Sequence, residues 1–214
     1  MSVHRDLGLV YRFEKGTLTW TLVLLHGTGG DENDLIPLGR YLSPEANLLS
    51  PRGSVLEDGM PRFFRRLAMG VFDVDDLTQR THELGAFIER AIEEFGLDPR
   101  HVVAVGYSNG ANIAASTLLL RPGLFRAAVL LHAMVPLIPD DEVELRGTSV
   151  FITGGRRDSM VPADQTERLA TTLSDAGADV EFRLLPGGHQ LTQAEAAMAQ
   201  EWLSRLFGRD TRAS

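Results

Sequence analysis

Ser108 lies between two glycines in Gly106-Tyr107-Ser108-Asn109-Gly110, with an apolar run before it and an alanine-rich stretch after it. Gly-x-Ser-x-Gly at a strand-to-helix turn is a nucleophile elbow. The tight turn lifts the hydroxyl beyond the sheet, and residues two before and two after it must lack bulk. A serine hydroxyl needs a base, and the base needs an orienting acid. Asp158 follows the apolar run of "TSVFITGG", and His189 follows "DVEFRLLPGG". The order Ser, Asp, His is the one an elbow demands. Asp164 and Asp175 fall within an expected helix and are poorer acids; the acidic residues near Asp140 are a weaker alternative. The chemistry implied is acyl transfer through a covalent acyl-enzyme.

A tetrahedral intermediate needs two N–H donors aimed in advance at its oxyanion. Asn109, next after the nucleophile, supplies one. The glycine-rich turn "LLHGTGGDE" supplies the other, with Thr28 as the best candidate. His26 is expected to hold that turn rather than to act as a second base. Gly27, Gly29 and Gly30 do not match the dinucleotide pattern Gly-x-Gly-x-x-Gly, and no Gly-Lys-Ser/Thr follows them. His132 reads as a buried structural histidine. There is no cysteine, and no histidine pair has metal-ligand spacing. Neither a metal nor a cofactor is expected.

These residues must be positioned by short apolar strands that alternate with helical periodicities. "LTWTLVLLHG", "NLLSP", "HVVAVGY", "RAAVLLHA", "TSVFITGG" and "DVEFRLLPGG" read as strands; residues 79–95, "NGANIAASTLLL", "PADQTERLATTLSDAG" and "TQAEAAMAQEWLSRLF" read as helices. Strands apolar on both faces and separated by helices imply an α/β fold. Its central sheet is mostly parallel, with helices on both faces. Ligands in such sheets bind beyond the carboxyl ends of the strands, where the turns bearing Thr28, Ser108, Asp158 and His189 all fall. No linker divides the chain, so residues 1–207 read as one domain and 208–214 as a frayed tail.

Residues 51–78 form the longest irregular stretch, and such a loop in a compact domain is usually functional. Met60, Phe63, Phe64 and Phe72 are expected to give it an apolar wall, faced by residues 132–139 with Met134. Arg62, Arg65 and Arg66 read as a solvated, salt-bridged surface. A net charge of −8 argues against nucleic-acid binding through phosphate contacts. No signal peptide is visible, and no apolar run approaches the ~20 residues of a membrane span. A cytoplasmic protein acting on a small molecule is the default; a homodimer is left open.

The segments "LLHGTGGDENDLIPL", "SPRG", "VGYSNGANIA", "GGRRDSMVP" and "GGHQLT" together resemble the carboxylesterase/phospholipase family of α/β-hydrolases, which includes the acyl-protein thioesterases. The resemblance implies an α/β-hydrolase fold with little or no cap domain. It implies Ser108 as nucleophile, His189 as base, Asp158 as acid, and an oxyanion hole at Thr28 and Asn109. The thioesterase branch usually reads Gly-Phe-Ser-Gln-Gly-Gly, where this chain has Gly-Tyr-Ser-Asn-Gly-Ala; the match is closer to small bacterial serine esterases. The expected activity is hydrolysis of small carboxylic esters. A thioester, a lysophospholipid or a ring-cleavage product cut by the same triad is the alternative. A hydrolase fold used only to bind a ligand is the reading from another class.

Overall fold

The computed structural model describes residues 3–68 and 70–210. In chain order the elements are β1 (Val3–His4), β2 (Tyr11–Glu14), β3 (Thr21–Leu25), α1 (Ile36–Leu42), β4 (Asn47–Pro51), β5 (Val55–Glu57), β6 (Met60–Arg62), β7 (Arg66–Ala68), β8 (Val71–Phe72), α2 (Val74–Phe95), β9 (Val102–Tyr107), α3 (Asn109–Leu120), β10 (Ala127–Leu131), β11 (Ser149–Gly155), α4 (Ala163–Asp175), β12 (Asp179–Leu185) and α5 (Gln193–Asp210). Eight strands form one sheet in the order β1-β2-β4-β3-β9-β10-β11-β12. From β4 to β12 every pairing is parallel; β1 and β2 add an antiparallel edge.

Strand alternation divides the core in two. Val23, Leu25 and Ala104 face a cluster with Phe87 and Ile88 of α2, Ile113 of α3 and Leu169 of α4. Leu22, Leu24, Val103 and Val105 face the opposite way, toward Ile36 of α1 and Trp202, Leu203 and Leu206 of α5. Helices therefore cover both faces, which is why the central strands carry almost no polar residues. The chain has the α/β-hydrolase fold.

The stretch 51–78 differs from the irregular loop expected of it. It folds as two antiparallel hairpins, β5–β6 and β7–β8, followed by the first turn of α2. The first hairpin turns at Asp58 (φ 52°) and Gly59 (φ 78°), two successive positive φ values that Asp-Gly tolerates. Asp73 caps α2 by accepting the Asp76 N–H at 3.1 Å. The last helix also outruns the expected boundary at 207 and continues to Asp210, so residues 208–210 are helical; residues 211–214 lie outside the described residues. Among the described residues no helix is long and apolar enough to cross a membrane.

Candidate active site

Ser108 joins β9 to α3 with φ 53° and ψ −115°. A non-glycine residue held there costs on the order of 1–3 kcal/mol. The surroundings over-determine it: the Ser108 N–H donates to Leu131 O at 2.9 Å, and its carbonyl accepts the Asn112 N–H at 2.9 Å. Both flanking glycines are required by space. A Cβ on Gly110 would sit 1.9 Å from Leu25 O, and one on Gly106 would sit 2.6 Å from Ala111 Cα. The sequence pattern is thus a record of how closely α3 crosses the ends of β3 and β9.

Two distant segments converge on this hydroxyl. His189, in the loop after β12, places Nε2 at 2.9 Å from Ser108 Oγ. Its Nδ1–H donates to Asp158 Oδ2 at 2.8 Å. Asp158 lies past the end of β11, where its Oδ1 accepts the N–H groups of Met160 (2.8 Å) and Val161 (2.9 Å). Burial works to raise the Asp158 pKa, but the donors Val161, His189, Met160 and His132 together hold it below the usual carboxylate value. Tyr107 Oη donates to the carbonyl of His189 at 2.8 Å and so ties the His189 loop to the Ser108 turn.

His132 is buried, as expected, but it is wired into the same carboxylate. Its Nδ1–H donates to Asp158 Oδ2 at 2.9 Å, and Nε2 lies 2.9 Å from Glu195 Oε1 in an ion-pair contact. His132, Asp158 and His189 are also the one cluster with metal-ligand atoms in reach of each other among the described residues, all within 4.8 Å. Both Nδ1 atoms lie within hydrogen-bond distance of the same carboxylate oxygen, Asp158 Oδ2.

Thr28 and Asn109 line one cavity with Ser108 and His189. The segment 61–63 braces both. Pro61 O accepts the Gly29 N–H at 2.9 Å, Arg62 Nη1 donates to Thr28 Oγ1 at 2.6 Å, and the Phe63 N–H donates to Asn109 Oδ1 at 2.8 Å. His26 supports the turn from behind: its Nε2 accepts the Gly53 N–H at 3.0 Å, and burial holds its pKa below the usual histidine value. Asn109 Nδ2 is buried without a hydrogen-bond partner.

Of the expected wall residues, Met134 and Phe72 line this cavity. Phe63 and Phe64 do not; they are 3% and 0% exposed and belong to the core against α2 and α3. Their rings anchor the loop, because an aromatic ring gains most from full burial. Met60 stands at the surface over Gly29, away from the cavity lining. Arg62, expected on a solvated surface, is 3% exposed, held by Phe64 O and by Glu57 at 3.3 Å. Arg62, Arg66, Asn112, Met160 and Val161 line the cavity without having been singled out for that role. Met160 and Val161 adjoin Asp158 in sequence, which is the signal that could have found them.

The sequence profile of the dienelactone hydrolase family matches residues 71–204. MhqD of Bacillus subtilis (strain 168) is 50% identical over 190 residues, spanning 89% of this chain and 95% of that protein. The crystal structure of a carboxylesterase from Bacillus cereus is 47% identical, covers 91% of this chain and 92% of its own, and superposes with a TM-score of 0.88. That of a carboxylesterase from Mesorhizobium loti is 34% identical, covers 95% and 98%, and gives a TM-score of 0.90. The chain belongs to the dienelactone hydrolase family, and so to the carboxylesterase-type α/β-hydrolases.

Proposed function

We propose that this carboxylic ester hydrolase cleaves small esters through an acyl-enzyme on Ser108, with His189 as general base and Asp158 as orienting acid. The observation that carries the reading is the unbroken line from Oγ to Nε2 (2.9 Å) and from Nδ1 to Oδ2 (2.8 Å). Nε2 takes the hydroxyl proton as Oγ attacks the ester carbonyl, while Nδ1–H stays on Asp158 and stabilises the imidazolium that forms. The carbonyl oxygen becomes an oxyanion and rests on the backbone N–H groups of Thr28 and Asn109, at the N-terminus of α3. The imidazolium returns its proton to the leaving alcohol. A water then repeats the attack and frees the acid. The cavity at Ser108 has about 40 Å³ of free space, which favours short acyl groups. The site draws on residues from Thr28 to Glu195, so a single domain carries it.

A fluorophosphonate probe tests the nucleophile. It is expected to label Ser108 in the native protein and nothing in Ser108→Ala. That variant is expected to fold and to lose at least about a thousandfold in kcat on p-nitrophenyl acetate and butyrate. Unchanged turnover in Ser108→Ala would rule the mechanism out; a folded native protein that resists the probe would favour a ligand-binding role.

A further inference from the structure

We infer that His132 is a positioning residue for ester hydrolysis: held between Asp158, to which Nδ1 is hydrogen-bonded, and Glu195, which lies in ion-pair contact with Nε2, it fixes the carboxylate that orients His189. The inference rests on the triad reading above. It starts from an accounting of donors and acceptors. All four contacts on Asp158 come from donors: the Met160 and Val161 N–H groups on Oδ1, and the Nδ1–H of each imidazole on Oδ2. The carboxylate is therefore ionised and its acceptor sites are filled. Glu195 is equally committed. Its Oε1 accepts from Thr153 Oγ1 at 2.9 Å, and its Oε2 accepts from Thr192 N and Oγ1, both at 2.8 Å.

His132 faces an acceptor at each nitrogen, and its side chain is 1% exposed. A neutral ring would turn a lone pair on one of the two carboxylates. Protonation at both nitrogens removes that clash, so the ring sits as an imidazolium between two anions. Burial alone would lower its pKa, but Glu195 and Asp158 outweigh burial and raise it. The remaining groups facing the ring are His189, with centroids 5.2 Å apart, and Tyr107, at 5.9 Å. The backbone is committed as well: His132 adopts φ 57°, and its N–H donates to Thr153 O at 2.9 Å. Thr153 thus binds His132 through its carbonyl and Glu195 through its hydroxyl.

The row of charges beside His189 is Glu195 negative, His132 positive and Asp158 negative. When His189 takes the serine proton, the row alternates from end to end. Without His132, Asp158 Oδ2 keeps one side-chain donor, and the carboxylate is free to swing away from Nδ1 of His189. A purely structural ion pair pinning α5 to the sheet would instead cost stability and leave turnover per folded site unchanged.

The experiment has three readouts. In ¹⁵N-histidine-labelled native enzyme, both ring nitrogens of His132 are expected to be protonated at neutral pH; a neutral ring would overturn the inference. In His132→Gln, kcat per fluorophosphonate-titratable site is expected to fall roughly tenfold or more with KM little changed; a kcat within twofold of native would overturn it. Glu195→Gln touches neither Asp158 nor His189, and reports even if the first variant fails to fold. It removes one anion from His132, so the alkaline fall of kcat/KM is expected to move to lower pH; an unmoved alkaline limb would overturn the inference. Failure of the probe to label native Ser108 would instead sink the triad reading, so the two failures are distinguishable.

Discussion

Arg62 donates from Nη1 to Thr28 Oγ1 at 2.6 Å, although the two residues lie 34 positions apart. A guanidinium that is 3% exposed thereby holds the turn whose N–H is proposed to face the oxyanion. Its Nε is anchored on Phe64 O at 3.1 Å, which fixes the fork's direction. Lysine cannot reproduce two directed contacts from a planar fork. Arg62→Lys is therefore expected to lower kcat about tenfold while changing KM little, because the loss falls on transition-state stabilisation. Steady-state kinetics on p-nitrophenyl acetate check this. A raised KM with unchanged kcat would mean that Arg62 serves substrate binding instead.

The elbow makes a stability prediction independent of catalysis. A Cβ at Gly110 would lie 1.9 Å from Leu25 O and 2.6 Å from His26 O. Both obstacles are backbone, and the core cannot open for a methyl group without moving α3 off β3. Gly110→Ala is expected to cost at least about 3 kcal/mol, at the upper end of overpacking penalties. Gly188→Ala, where the nearest obstacle is Arg157 O at 3.7 Å, is expected to be tolerated. Thermal melts of the two variants decide it; similar melting points would contradict the crowding argument.

The three side chains that meet at Ser108 could be read from the sequence because each follows a strand end, and the Ser-Asp-His order is a property of the chain. The strand and helix pattern was legible for the same reason, since a doubly covered sheet writes itself as apolar runs. The pocket was not. Phe63 and Phe64 look like a substrate wall in a loop of unknown shape, yet they are core residues, while the polar Arg62 next to them reaches the site. Only the Asp58-Gly59 pair marked the hairpin that makes this possible. The bond between His132 and Asp158 was equally hidden, because it joins residues 26 positions apart on neighbouring strand ends.

The buried row of His132, Asp158 and Glu195 should shape stability against pH. His132 has its pKa raised on folding, since its two anionic partners outweigh burial. Its contribution is complete below the ordinary histidine value of 6.5 and is lost as pH rises through the higher folded value. Asp158 and Glu195 have theirs lowered, from ordinary values of 3.8 and 4.5, since hydrogen-bond donors outweigh burial. Their contributions are complete above those values and are lost as pH falls through the lower folded ones. The row therefore stabilises most between about pH 5 and 6.5. The difference in Tm between native enzyme and Glu195→Gln is expected to be largest there and to shrink on both sides. A difference that stays constant from pH 4 to 10 would show that charge plays no part.

Acyl-chain preference follows from the cavity, which is lined by Phe72, Met134 and Met160 and holds about 40 Å³ of free space. Met134 is set by its N–H donating to Asn112 Oδ1 at 2.9 Å, so the backbone at this wall is fixed and the side chain decides the depth. In the native enzyme kcat/KM is expected to fall steadily from p-nitrophenyl acetate to octanoate. Met134→Ala leaves the backbone bond in place and opens space beside Ser108. Each methylene that the enlarged cavity newly accommodates is worth up to about 0.8 kcal/mol, or nearly fourfold in relative kcat/KM. The variant's optimum should therefore move to butyrate or hexanoate at the expense of acetate. An unchanged chain-length profile would place the acyl group on the other side of Ser108, toward Thr28 and Arg66, with the alcohol against Met134.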